Sequence, residues 1–194
     1  MAYKIFIDQG HNPVNPNAGA EFAGVREQDV NFDVGIRLAG LLESNPLFDV
    51  RLSRLLPTDQ LGTDNTSSIR ARTDAANNWG ADFFISLHCN TNSSTEISGT
   101  EAYVYRLDSA GSRMATQLVR GIHQVTGLRN RGVFARPSLA VLRRTSMPAV
   151  LVEMGYLTHT TDRNLLVYCP QLFAQGMYDG ITQYFGSRQG TYTH

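Results

Sequence analysis

The sequence has little cysteine, no excess of either charge and no long apolar run. Its 194 residues contain two cysteines, Cys89 and Cys169. Two are too few for a disulfide framework, so the fold depends on a hydrophobic core, and both are expected to be buried free thiols. Seventeen Lys plus Arg balance seventeen Asp plus Glu. That balance leaves no bulk field to gather nucleic acid or an anionic membrane surface. No stretch approaches the ~20 apolar residues of a membrane-spanning helix. The apolar run 3–7 has no basic leader and no small-residue cleavage site, so no signal peptide is read there. The expectation is a mature or excised domain, or a protein exported by another route. What remains is a globular composition, 42% apolar and 18% charged, which suits one domain with a sizeable core.

The order of elements narrows the fold. Strands are predicted at 3–8, 48–53, 82–87, 99–105, 139–142 and 149–153 from β-rich runs bounded by turn residues. Helices are predicted at 27–43, 69–79, 112–126, 161–169 and 170–184 from apolar residues at helical spacing. Residues 56–68 and 91–98 read as polar loops, and 127–138 as an arginine-rich connection. Strands and helices alternate, with no repeat or linker. This predicts a single α/β domain over residues 1–185, a mostly parallel or mixed twisted sheet covered by helices on both faces, with 186–194 as a flexible tail.

Three predicted strands lead into residues that can bind a metal or move a proton: His11 after the first, His88 after the third and Glu153 at the end of the last. Ligands of open α/β sheets bind beyond the carboxyl ends of strands. Two imidazoles and one carboxylate with an open fourth position form a catalytic zinc set, and a second carboxylate can act as proton carrier. Glu27, Glu21 and Asp8 all compete for the ligand carboxylate. Glu27 opens a helix and is the better fixed. Taken singly, His11 reads as a turn residue, His88 as a core histidine and Glu153 as a surface carboxylate. The three together point to a site.

Five segments, in order, resemble a known family. They are IDQGHNP at 7–13, GVREQDVNFDVGIRL at 24–38, RTDAANNWGADFFISLHCN at 72–90, VLRRTSMPAVLVEMGYLTH at 141–159, and the closing helices. The chain is similar to the zinc-dependent N-acetylmuramoyl-L-alanine amidases of the AmiC/CwlV type, the Amidase_3 family, from Ile5 to about Tyr184. The resemblance implies that His11, Glu27 and His88 hold one zinc ion. It makes Glu153 the catalytic glutamate and puts Asn90 in the site. It implies hydrolysis of the amide between N-acetylmuramic acid and L-alanine in peptidoglycan, at the bacterial cell wall. His159 and Cys89 depart from the usual residues. His159 is expected to cap the next helix, and Cys89 to point away from the metal.

Asn12, Asn90, Arg143 and Arg144 are further expected to contact the glycan or the stem peptide's carboxylates. Regulated relatives carry a long inserted helix after the strand at 99–105. Here only residues 106–111 intervene, so an open site is expected. The chain is expected to act as a monomer with peptidoglycan as its partner and without nucleic acid. A zinc carboxypeptidase and a non-catalytic wall-binding module are the alternatives.

Overall fold

A computed structural model describes residues 2–189. In chain order the elements are β1 (Tyr3–Gln9), β2 (Glu21–Phe22), β3 (Val25–Arg26), α1 (Glu27–Glu43), β4 (Phe48–Leu52), α2 (Asn65–Trp79), β5 (Phe83–Asn90), β6 (Thr100–Val104), α3 (Ala110–Thr126), β7 (Asn130–Ala135), α4 (Ala140–Arg144), β8 (Ala149–Tyr156), α5 (Thr160–Tyr168) and α6 (Pro170–Gln189). Six strands form one mixed sheet in the order β4-β1-β5-β8-β6-β7. The first four run parallel, and β6 and β7 run antiparallel to them but parallel to each other. The expected single α/β domain is what the chain forms.

Strand alternation divides the sheet into two faces. Ile5, Ile7, Phe83, Ile85, Leu87, Val150 and Val152 share one core cluster with Val34 and Leu38 of α1, Leu118 and Ile122 of α3, and Phe173 and Met177 of α6. On the other face Phe6, Phe84 and Leu151 pack with Ala76 of α2 and with Val141 and Leu142 of α4. This second cluster is much smaller, and Asp8, Ser86, His88 and Glu153 continue its alternation along their strands. The polar end of that face is where the chemistry collects.

Several boundaries differ from the sequence reading, each for a physical reason. Residues 139–142 are not a strand: Ala140–Arg144 is a short helix with Leu139 before its first turn. A four-residue apolar run fits either period, and here Val141 and Leu142 lie on the sheet rather than pair in it. The arginine-rich connection contains the strand β7. As an edge strand it buries little and shows no clean alternation. Helix α2 starts at Asn65, inside the segment read as loop, because Asp64 accepts from the Ser67 N–H at 2.8 Å and forms a capping box. The hairpin β2–β3 was not foreseen from its two-residue strands. Helix α6 continues through residues 186–189, and the rest of the expected tail, 190–194, lies outside the described residues.

Candidate metal centre and active site

β5 and β8 are both longer than expected, running to Asn90 and Tyr156. His88 therefore lies within its strand rather than after it, Glu153 lies inside its strand rather than at the end, and the two are directly paired across the parallel β5–β8 ladder. His11 does follow its strand. It has a left-handed backbone, φ 70°, which costs a residue with a β-carbon on the order of 1 kcal/mol. Buried Arg72 of α2 holds that turn. Its guanidinium donates to the carbonyls of Gln9 and His11 at 2.6 Å each, and to Asp8 Oδ1 at 2.7 Å. Ser86 Oγ donates to the other oxygen of Asp8 at 2.7 Å. Burial works against the Asp8 charge, but Arg72 and Ser86 outweigh it and hold the carboxyl below the usual range. Asp8, a candidate ligand from sequence, is instead tied to this arginine.

Glu27 is the centre of the site. It is the first residue of α1 and is 4% exposed. The hairpin β2–β3 folds residue 20 back onto it. The Glu27 N–H donates to the Ala20 carbonyl at 2.9 Å, and the Ala20 N–H donates to Glu27 Oε2 at 3.0 Å. Its other oxygen, Oε1, accepts from the Cys89 N–H at 3.0 Å. The same oxygen lies 3.0 Å from His88 Nδ1 and 3.2 Å from His11 Nε2. Burial pushes the Glu27 carboxyl up, but the hydrogen bonds from His11 and His88 prevail and leave it far below the ordinary carboxylate range. His11 is shifted up, since its bond to Glu27 overcomes desolvation. Glu21 lies on the exposed hairpin and takes no part.

One donor atom from each of His11, Glu27 and His88 falls within 4.8 Å of the others. Two imidazole nitrogens and one carboxylate oxygen suit zinc, and structural sites favouring cysteine do not look like this. The side chains of His11 and His88 remain 21% and 16% exposed, so a further ligand can approach from solvent. Two glycines make the close packing possible. A β-carbon on Gly10 would fall 2.4 Å from His88 Nε2, and one on Gly19 would fall 2.9 Å from both Glu27 Oε2 and His11 Cδ2.

Glu153 faces the cluster without joining it. Its Oε2 is buried and has no hydrogen-bond partner. Burial, then the charges of Glu27 and Glu101, push its carboxyl up to about 8. Sequence reasoning missed Glu101, which is paired with Glu153 across β6–β8 and is 6% exposed. Glu101 accepts from Asn90 Nδ2 at 3.0 Å, Tyr103 Oη at 2.5 Å and Arg131 Nε at 2.8 Å. A carboxylate inside a predicted strand was the available signal. Asn90 thus reaches the site by way of Glu101.

The other expected contacts are placed differently. Asn12 is 0% exposed, and its amide is fully used. Nδ2 donates to the Pro16 and Leu61 carbonyls, while Oδ1 accepts from the Leu61 N–H and Arg72. It has no bonding capacity left for a substrate. Arg143 and Arg144 are exposed at the end of α4, just before β8 begins, at the opposite end of that strand from Tyr156. The Arg144 carbonyl accepts from Asn77. The structure does not bring either arginine to the cluster. Cys89 is buried on the far face with its thiol 3.5 Å from Asn31 Oδ1, as strand alternation required. His159 caps α5 and bonds Asp162 at 2.8 Å.

A model of the Amidase_3 family, described as N-acetylmuramoyl-L-alanine amidase, matches residues 5–183. The chain belongs to this family. It is 33% identical over 189 residues to the sporulation-specific N-acetylmuramoyl-L-alanine amidase of Bacillus subtilis, covering 96% of this chain and 69% of that protein. It is 34% identical over 186 residues to the amidase CwlM of Bacillus licheniformis, covering 94% and 68%. Among solved structures, the catalytic domain of the amidase CwlV from Paenibacillus polymyxa superposes with a TM-score of 0.82 at 31% identity, covering 95% of this chain and 98% of that one. The six-stranded sheet and its helices are those of an amidase catalytic domain. No helix among the described residues is long and apolar enough to cross a membrane.

Proposed function

We propose that this amidase domain holds one zinc ion on His11, Glu27 and His88 and uses Glu153 to hydrolyse the amide joining N-acetylmuramic acid to the L-alanine of the stem peptide. The observation that carries the reading is the convergence of three donor atoms within 4.8 Å beside a buried carboxyl with an unpartnered oxygen. When bound, zinc would supply the Lewis acidity that lowers the pKa of water and polarises the lactyl carbonyl. The chain's own groups do the rest. Glu153 accepts a proton from the attacking water as its oxygen bonds to the carbonyl carbon. The carbon–nitrogen bond then breaks, and Glu153 returns the proton to the departing alanine nitrogen. The products are a muramic acid carboxylate and a free amino terminus.

Without metal this carboxyl is held up to about 8; a cation held beside it would draw it down, and a proton carrier works best when its affinity lies near the working pH. Glu27, held far lower, stays anionic and suits the role of ligand. The link from β6 to α3, residues 105–109, leaves from the far end of β6. It carries no inserted helix, which supports a site left open to substrate. The place of action is the cell wall, and the working unit is a monomer. Digestion of purified peptidoglycan by the zinc-loaded protein tests the activity. New N-terminal L-alanine with intact muramic acid supports it. Release of single terminal amino acids would identify a carboxypeptidase, and binding without cleavage a wall-binding module.

A further inference from the structure

A cavity of about 140 Å³ opens against the catalytic cluster. Gly10, His11 and His88 form one wall, and Ile69 of α2 faces Leu139, Ala140 and Val141 at the start of α4. Leu151, Asp8, Asn17 and Arg72 complete the lining. Five aliphatic residues line it, and Asn17 joins the polar ones. Its volume exceeds the roughly 30 Å³ that one water occupies in the liquid. Arg72, 2% exposed, donates through its two terminal nitrogens, but its Nε has no partner. The mechanism above does not use the aliphatic side chains of this cavity.

We infer that this cavity is a specificity pocket for a small aliphatic substituent on the scissile amide, resting on the amidase reading above. A group seated there touches His11 and His88, which puts it beside two of the three side chains proposed to hold the metal. The substrate offers two such groups of the same chemistry, the lactyl methyl on the acyl side and the alanine methyl on the amine side. The aliphatic walls bind the methyl by removing it from water. Turning the methyl into the cavity fixes the rotation of the amide before attack. The α4 turn, read from sequence as a strand, thereby becomes the wall that selects the substrate.

The test pairs a narrowed pocket with substrates that lack one methyl. Soluble muramoyl peptides are prepared with L-alanine or glycine at position one, and with a lactyl or glycolyl ether. One methylene in a hydrophobic pocket changes discrimination about 10–200-fold. Ala140→Leu is expected to lower kcat/KM for the natural compound about 10-fold or more. It should restore most of the loss on the one analogue whose missing methyl occupied the cavity. Rescue by glycine identifies the alanine side, and rescue by glycolyl the acyl side. Ile69→Phe, on the opposite wall, repeats the test if Ala140→Leu does not fold. Folded variants that lose activity equally on all three compounds, or lose none, would overturn the pocket alone. A wild-type protein that releases stem peptide from no substrate would overturn the amidase reading and the pocket with it.

Discussion

His88 and Glu153 are direct partners across two parallel strands, β5 and β8, although 65 positions separate them in the chain. Their side chains leave the same face of the sheet. One enters the cluster around Glu27 Oε1, at 3.0 Å, and the other stops beside it with an unpaired oxygen. Strand pairing thus fixes an imidazole and a carboxyl side by side, which loops alone would do less rigidly.

Gly10 sets the position of His88. A β-carbon there would fall 2.4 Å from His88 Nε2 and 2.6 Å from the Leu87 carbonyl, so one of them has to move. Gly10→Ala should weaken zinc affinity about 10–100-fold, the cost typical of disturbing the surroundings of a ligand. Competition with a chelator measures it. Unchanged affinity would show that the imidazole swings aside freely.

Arg72 is buried with Asp8 and holds the two carbonyls that shape the His11 turn. Removing one member of a buried pair costs about 3–5 kcal/mol because the other charge is left uncompensated. Arg72→Met should lower the melting temperature by about 10 °C. Asp8→Asn in the same background should recover part of the loss, since it removes the stranded charge. Calorimetry of the single and double variants reads both effects.

Glu153 makes the stability of the metal-free protein depend on pH. Its carboxyl is pushed up to about 8 by burial and neighbouring charge, against an unfolded value near 4.3. Below about pH 4 it is protonated in both states and carries no penalty. As pH rises toward 8 the unfolded chain releases the proton while the folded chain keeps it, so stability falls across that window. Glu153→Gln removes this dependence. The variant should melt close to the wild type at pH 4 and about 5 °C above it at pH 8, both stripped of metal. Parallel melting curves across that range would show that Glu153 is solvated in the folded protein.

Much of the fold could be read in the sequence because most elements carry one clear period. Val30, Val34, Leu38 and Leu42 mark α1, and the run into Leu87 marks a strand covered on both faces. Residues 139–142 misled because four apolar residues fit a helix or a strand equally. β7 was missed because an edge strand leaves its side chains half in solvent. The site was partly legible. His11, Glu27, His88 and Glu153 lie on or beside elements whose ends could be predicted, so their convergence was foreseeable. Glu101, Arg131 and the Arg72–Asp8 pair were not, because their roles come from partners distant in sequence. Asn12 shows the converse: a polar residue beside a candidate metal-holding histidine looks like a substrate contact until its four bonds are counted.

A metal-holding triad and a separate proton carrier are proposed to divide the work of this site. The most direct test measures bound zinc and stem-peptide release together in the wild type, His88→Ala and Glu153→Ala. One zinc per chain is expected in the wild type and in Glu153→Ala, and none in His88→Ala. Stem release is expected from the wild type alone, with Glu153→Ala down about 100-fold or more. Stem release at the wild-type rate by Glu153→Ala, or by a wild-type protein freed of zinc, would contradict this division.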